Sequence, residues 1–77
     1  MKKKNFDTFG QKLRLMMFER DLTQEALSKM TGISHETLSS WSQDRRIPSI
    51  INFMIIADVF ELTNEEIIDL LKTFRVT

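Results

Sequence analysis

Residues 22–41 constrain the fold more than any other stretch, because they carry the signals for two short helices with almost no linker between them. Thr23 is a suitable N-cap for the first helix, since its hydroxyl can accept a hydrogen bond from a backbone N–H of the first turn. Gly32 can end that helix in the left-handed conformation, and Ser34 can cap the next helix two residues later. A connection this short cannot lay two helices side by side, so we expect them to cross steeply.

Apolar residues at helical spacing predict which faces of the helices are buried. In the first of the two helices, Ala26, Leu27 and Met30 recur as one buried face requires. A further helix is predicted before them, from about residue 7 or 8 to residue 18 or 19. The inner stripe of that helix consists of Phe9, Leu13, Met16 and Met17.

The second helix of the pair separates its polar residues from its apolar ones. At about 100° per residue, its polar side chains fall within one arc of about 140°. The arc is formed by His35, Glu36, Ser39 and Ser40, with Thr37 on its flank. Leu38 and Trp41 lie on the opposite side, and we interpret both as core residues that anchor the helix. Short hydrogen-bonding side chains such as those on the arc can approach the base edges of a DNA major groove.

The segments LTQEALSKMTGIS, LSSW and RRIPS, in this order, resemble the Cro/C1-type helix-turn-helix of phage repressors and related regulators. The resemblance extends from about residue 9 to residue 71. It implies an all-α fold, a compact five-helix bundle of the lambda-repressor-like DNA-binding type with a central helix-turn-helix. The whole chain, 1–77, is then interpreted as one domain, with residues 1–5 as a mobile basic arm.

The rest of the sequence also predicts helices. Ser49 follows Pro48 as an N-cap for a helix over about residues 50–60. Thr63 and Glu66 have the spacing of a capping box, which would begin a fifth helix ending between residues 71 and 74. Asp44 stands where the family commonly has glycine, and aspartate tolerates the left-handed conformation better than most residues.

Two departures from the family pattern occur together. The family often has Arg where this chain has Met17 and Glu where it has Ser42, and these two form a buried ion pair. Losing one partner leaves an uncompensated buried charge, at about 3–5 kcal/mol, whereas losing both can be neutral. We therefore expect Met17 and Ser42 to lie near each other. Met17 should be buried against Trp41 or Leu38. Ser28, at the place of a usual alanine, is expected to bond to a backbone carbonyl.

The resemblance implies two sets of DNA contacts. The base-reading set is Ser34, His35, Glu36, Ser39 and Ser40. The phosphate-binding set is Thr23, Gln24, Thr37, Gln43, Arg45 and Arg46. Other roles remain open for some of them. Gln24 and the two arginines can be solvated side chains, and Glu36 can complement the dipole of its helix.

The predicted fourth helix is apolar nearly all round and is interrupted only by Asn52 and Asp58. A small core needs one apolar face, so the remaining apolar surface should meet something else. We predict a homodimer whose interface is formed by Ile51, Ile55, Leu71 and Phe74. The alternative is that this helix is central and buried within one chain.

Composition and charge restrict the function. The chain has no cysteine and one histidine, His35, so neither a metal site of familiar spacing nor a catalytic pair is predicted. We expect no enzymatic activity, no cofactor and no small-molecule ligand. No apolar run is long enough to span a membrane, and a cytoplasmic protein is predicted. The net charge is zero, but residues 1–46 hold nine basic and six acidic residues, whereas residues 47–77 hold two and five.

The favoured hypothesis is a sequence-specific DNA-binding transcriptional regulator, similar to a phage Cro or repressor DNA-binding domain. It would read the major groove with residues 34–41 and bind a two-fold operator as a homodimer. An antitoxin or a restriction controller would use the same surface. The rival class is a protein-interaction module that binds a partner with the apolar surface of its last two helices. Zero net charge and Glu36 favour this rival.

Overall fold

The computed structural model describes residues 8–74, which form five α-helices and a terminal 3₁₀ turn. The elements are α1 Phe9–Glu19, α2 Gln24–Thr31, α3 His35–Ser42, α4 Ile50–Val59, α5 Asn64–Leu71 and the 3₁₀ turn Lys72–Phe74. The predicted all-α class and the predicted order of helices are confirmed. The arm predicted at residues 1–5 lies outside the described residues.

Every one of the five helices begins at a hydroxyl side chain that accepts a hydrogen bond from a backbone N–H of the first turn. The five N-caps are Thr8, Thr23, Ser34, Ser49 and Thr63, at 3.0–3.2 Å from the donor nitrogen. The capping box is complete, because the backbone N–H of Thr63 also donates to Glu66 Oε1 at 2.8 Å. The predicted starts of the helices are therefore confirmed.

The connections α1–α2 and α4–α5 are built alike. Each passes through one residue in the left-handed conformation, Asp21 with φ 56° and Glu61 with φ 54°. In each, the next residue is a leucine whose N–H bonds back to the preceding helix, Leu22 to Met17 O at 2.9 Å and Leu62 to Ala57 O at 3.0 Å. Both leucines then pack against the core. The same turn therefore closes two different helices.

Glycine in place of Glu61 is expected to stabilise the domain by about 0.5–1 kcal/mol. A left-handed conformation costs a residue with a Cβ about 1–2 kcal/mol, which exceeds the 0.4–1 kcal/mol that glycine loses through a more disordered unfolded chain. Asp44→Gly is the matched control. Asp44 has φ 61°, but its carboxylate accepts a hydrogen bond from Gly10 N at 2.9 Å. We expect urea denaturation to show a gain for Glu61→Gly alone, and equal gains at both positions would contradict this account.

The core lies between the five helices. Its buried apolar residues are Phe9, Leu13, Met17, Leu27, Ile33, Leu38, Trp41, Phe53, Ile56, Phe60 and Leu70. Aromatic rings connect its parts, with Phe9 edge-on to Trp41 at 6.2 Å and stacked on Phe74 at 5.4 Å. Phe74 also meets Phe53 edge-on at 5.6 Å. The 3₁₀ turn thus closes the core rather than trailing away from it.

The prediction that Met30 shares the buried face of α2 is wrong, since Met30 is 52% exposed while Leu27 is fully buried. Ser28 and Thr31, on either side of Met30 in sequence, are instead half-buried. Ser28 Oγ donates to Ile33 O at 2.5 Å, and Thr31 Oγ1 donates to Leu27 O at 2.8 Å. Because both hydroxyls have partners, their partial burial leaves no polar group unsatisfied.

An ion pair joins α1 to α5. Lys12 Nζ lies 2.9 Å from Asp69 Oδ2. The hydrogen bond from Lys12 and its positive charge lower the pKa of Asp69 below its ordinary value. The pair is solvent-exposed, so it orients the two helices more than it stabilises them.

Candidate nucleic-acid interface

The exposed face of α3 carries the predicted polar arc. Ser34, His35 and Glu36 are exposed at the start of the helix, and Ser39 and Ser40 are half-buried one turn later. Thr37, on the flank, is also half-buried. On the opposite side Leu38 and Trp41 are buried, with exposed fractions of 0% and 2%. The interpretation of Trp41 as a core residue is confirmed, and the helix is fixed by one side while the other faces outward.

The turn between α2 and α3 is held by side-chain hydrogen bonds on both sides of Ile33. Gly32 adopts the left-handed conformation with φ 77°, as predicted. The buried residue Ile33 then donates its N–H to Thr31 Oγ1 at 3.1 Å, while its carbonyl accepts from Ser28 Oγ. The predicted bond from Ser28 to a carbonyl is confirmed, and the carbonyl is in the turn itself. These bonds fix the angle at which α3 leaves α2.

Ser42 joins three helices at the carboxyl end of α3. It is 3% exposed, and its hydroxyl donates to Leu38 O at 2.9 Å and accepts from Gln24 Nε2 at 2.9 Å. Its carbonyl accepts from the guanidinium of Arg14 on α1. Met17 is 7% exposed, so its predicted burial is confirmed. At the position where the family often has one partner of a buried ion pair, α3 is therefore held by hydrogen bonds from Ser42, Gln24 and the guanidinium of Arg14.

The amide of Gln24 has a structural role that the sequence did not reveal. Gln24 is the first residue of α2 and is half-buried against Ser42. Its Nε2 carries two hydrogens, and one bond to Ser42 leaves a second donor. Contact with a phosphate remains a prediction for Gln24, as it does for its neighbour Thr23, which is exposed at the N-terminus of α2.

The loop after α3 holds the remaining predicted phosphate contacts. Gln43 folds back on α3, with Nε2 donating to Ser39 Oγ at 3.1 Å. Asp44 adopts the predicted left-handed conformation. Arg45 and Arg46 are exposed, and among residues 8–74 neither forms an ion pair. The loop thus presents two unpaired positive charges directly beyond the polar face of α3.

Two contacts in this region were not predicted. One is the bond from Arg14 to the carbonyl of Ser42, and the other is the bond from Gly10 N to Asp44 Oδ1. Gly10 was the available signal for the second, because a glycine inside a helical pattern often marks a close approach of backbone. A Cβ on Gly10 would lie 2.6 Å from Ser42 O and from Trp41 O.

The structure divides the predicted dimer set. Ile51 and Leu71 are 68% and 41% exposed, whereas Ile55 and Phe74 pack against the core. The alternative that α4 is buried within one chain is wrong. A groove between α4 and α5, here called the α4–α5 groove, is lined by Ile50, Phe53, Met54, Ala57, Leu62, Ile67 and Leu71, with Asp58 and Glu61 on its rim. Ile50 and Met54 were not predicted to be exposed.

Among residues 8–74, no group of three His, Asp or Glu side chains is placed to hold a metal ion. No helix among them is long and apolar enough to cross a membrane.

Comparison with known proteins gives one match. A family model described as helix-turn-helix matches residues 11–67, which include α2, α3 and the turn between them. Neither the comparison with curated proteins nor the comparison with solved structures gives a match.

Proposed function

The chain belongs to the helix-turn-helix family, and from this membership we propose that it is a sequence-specific DNA-binding transcriptional regulator of the phage Cro or repressor kind. It reads the major groove with residues 34–41 and binds a two-fold operator as a homodimer. The observation that carries the proposal is the division of α3 into a buried side and an exposed polar side. Leu38 and Trp41 fix the helix, and short side chains face outward.

The base-reading role falls to the exposed arc of α3. His35 and Glu36 are exposed at its N-terminal end, which enters the groove first in this mode of docking. A carboxylate accepts from the amino group of cytosine and is repelled by phosphate, so Glu36 contributes specificity rather than affinity. Ser34, Ser39 and Ser40 are short enough to let the helix approach the base edges.

Positive charge for the phosphates comes from the loop after α3. Arg45 and Arg46 are exposed and unpaired among the described residues. Thr23 and Gln24 stand at the N-terminus of α2, where backbone N–H groups and the helix dipole favour an anion. Thr37 and Gln43 complete the set. A phosphate group interacts with the positive charge close to it, so the net charge of zero over the whole chain does not decide its binding.

A second function is supported by the α4–α5 groove. Its apolar lining would also suit a protein-interaction module, including an antitoxin-like protein. Binding to random-sequence DNA at several salt concentrations separates the two functions, because phosphate contacts release counterions and steepen the salt dependence. Selection of bound DNA from a random pool then identifies the operator. Absence of salt-dependent DNA binding would favour the interaction module.

Arg45→Ala is expected to weaken binding to all DNA sequences about equally and to reduce the slope of log K against log salt by about one. Glu36→Ala should instead change base preference, with about 1–3 kcal/mol at the affected base pair. Lys72→Ala is the control, since it removes the same charge at an exposed residue that is not among the predicted DNA contacts. Fluorescence anisotropy with the selected site and with random DNA measures all three. Altered base preference in Arg45→Ala with none in Glu36→Ala would contradict this division of roles.

A further inference from the structure

The start of α4 and the loop before it expose several large apolar side chains. Ile47, Ile50, Ile51 and Met54 are 63%, 64%, 68% and 62% exposed. These four large side chains occur within eight residues. Ile68 and Leu71 on α5 extend the surface, at 54% and 41% exposure. Scattered apolar residues are normal on a protein surface, but Ile50, Met54 and Leu71 line one groove, and a continuous apolar surface marks an interaction site.

Charges of opposite sign lie at the two ends of this patch. Arg45 and Arg46 precede α4, whereas Asp58 and Glu61 stand at its far end on the rim of the α4–α5 groove. Among residues 8–74, none of the four forms an ion pair. The surface is therefore apolar in the middle, positive at one end and negative at the other.

We propose that the α4–α5 groove binds the α4 helix of a second copy of this chain, with the two α4 helices antiparallel and Met54 near the two-fold axis. The inference rests on the homodimer of the proposed function and names its surface. Ile50 and Met54 replace Ile55 and Phe74 in the predicted interface, because the latter two pack against their own core. Ile51 and Leu71 remain part of it.

The charge pattern explains why the occupant is a second copy. The nine residues from Ile50 to Asp58 span about 12 Å, so an antiparallel partner brings its negative end to the positive end of the first copy. Arg46 of one copy then faces Glu61 of the other, and two-fold symmetry makes this contact twice, so in the dimer Arg45 is the cation of this loop that remains free for phosphate. A foreign helix that carries only basic residues would pair with the acidic end of the surface. Its remaining positive charges would then lie opposite Arg45 and Arg46 and would be repelled by them.

The size of the surface sets the expected strength. A standard interface buries about 800 Å² on each partner. Six partly exposed aliphatic side chains fall at or below this size, so we expect a dimer that dissociates in the micromolar range and is strengthened when both copies bind one operator.

Sedimentation equilibrium of the full chain without DNA is the first test. The wild type should be a dimer with a micromolar dissociation constant, and Met54→Asp should raise that constant at least ~100-fold because it buries two charges near the axis. Phe18→Asp is the matched control, since Phe18 is 82% exposed on α1, outside the groove. It should leave the constant unchanged. Circular dichroism establishes that each variant is folded. A monomeric wild type at millimolar concentration, or a dimer lost in Phe18→Asp and kept in Met54→Asp, overturns the proposal.

A charge exchange tests the antiparallel register. Arg46→Glu and Glu61→Lys alone should each raise the dissociation constant about tenfold, because each places like charges together twice. The double variant should return to within about threefold of the wild type, since the pair is restored with its signs reversed. If the two changes act independently, so that the dissociation constant of the double variant rises by the product of the two single effects, the register is wrong.

Binding of random DNA keeps this inference separate from the proposed function. Met54→Asp lies outside the predicted DNA contacts, so the monomeric variant should bind random DNA with a salt dependence of the same kind as the wild type. A dimeric wild type that binds no DNA would refute the regulator while supporting the interface. A wild type that binds DNA but stays monomeric both free and on its operator would refute the interface and the homodimer, while leaving the DNA-binding role in place.

Discussion

Replacement of Trp41 by alanine is expected to lower the free energy of unfolding by about 3–5 kcal/mol, the range for a buried aromatic residue. Trp41 is 2% exposed and meets Phe9 edge-on, so its removal leaves a cavity between α1 and α3. At about 0.05–0.15 kcal/mol per residue, a domain of this length has about 4–12 kcal/mol in total. The change would therefore remove a large share of the total stability. Urea denaturation followed by circular dichroism measures it.

Phe18→Ala is the control for that experiment, because it removes an aromatic ring that is 82% exposed. It should change the stability by less than about 0.5 kcal/mol. If Trp41→Ala were equally mild, and the loss appeared instead as weaker DNA binding, Trp41 would be a stacking residue and the orientation of α3 described above would be wrong.

Gly10→Ala is expected to destabilise the domain by about 1–3 kcal/mol, although alanine is the better helix former by about 1 kcal/mol. The reason is contact with rigid backbone. A Cβ would lie 2.6 Å from both Trp41 O and Ser42 O, and 2.8 Å from Asp44 Oδ1. α1 must then move away from the end of α3. The emission of Trp41, the only tryptophan, should shift towards that of a solvated indole.

Gly32→Ala provides the contrast, because a Cβ at this position would strain the backbone without contacting any other atom. A Cβ there would meet nothing within 4 Å, but φ is +77°. Strain of about 1–2 kcal/mol is partly offset by the stiffer unfolded chain, so the net loss should be at most about 1 kcal/mol. Trp41 should keep its emission. A larger loss at Gly32 than at Gly10 would contradict the close packing of α1 on α3.

Local signals in the sequence predicted the starts of the helices and the left-handed conformation of Gly32 and Asp44, but not that of Asp21 and Glu61. A hydroxyl residue before an apolar run caps its own first turn, and Gly32 ends its own helix, so these features depend on neighbours in sequence. The buried side of α3 was predicted for the same reason. Leu38 and Trp41 lie three residues apart, as one helix face requires.

The features that the sequence did not predict depend on residues far apart in the chain. Gln24 bonds to Ser42, 18 residues away, and nothing local in α2 indicates that partner. Phe74 was assigned to an interface because nothing local shows that the 3₁₀ turn returns it to Phe9. The same limit applies to the DNA contacts, whose roles depend on a partner that the chain does not contain.

The hydrogen bond between Gly10 and Asp44 has a consequence for the dynamics of the domain. First-turn amides of a helix ordinarily exchange with solvent early, since fraying of that one helix exposes them. The Gly10 amide is bonded to a residue 34 positions away, beyond the end of α3. It can exchange only when α1 and the loop after α3 separate. In a hydrogen–deuterium exchange experiment this single amide should therefore follow the slow amides of α3, and it would report directly on whether that helix is docked.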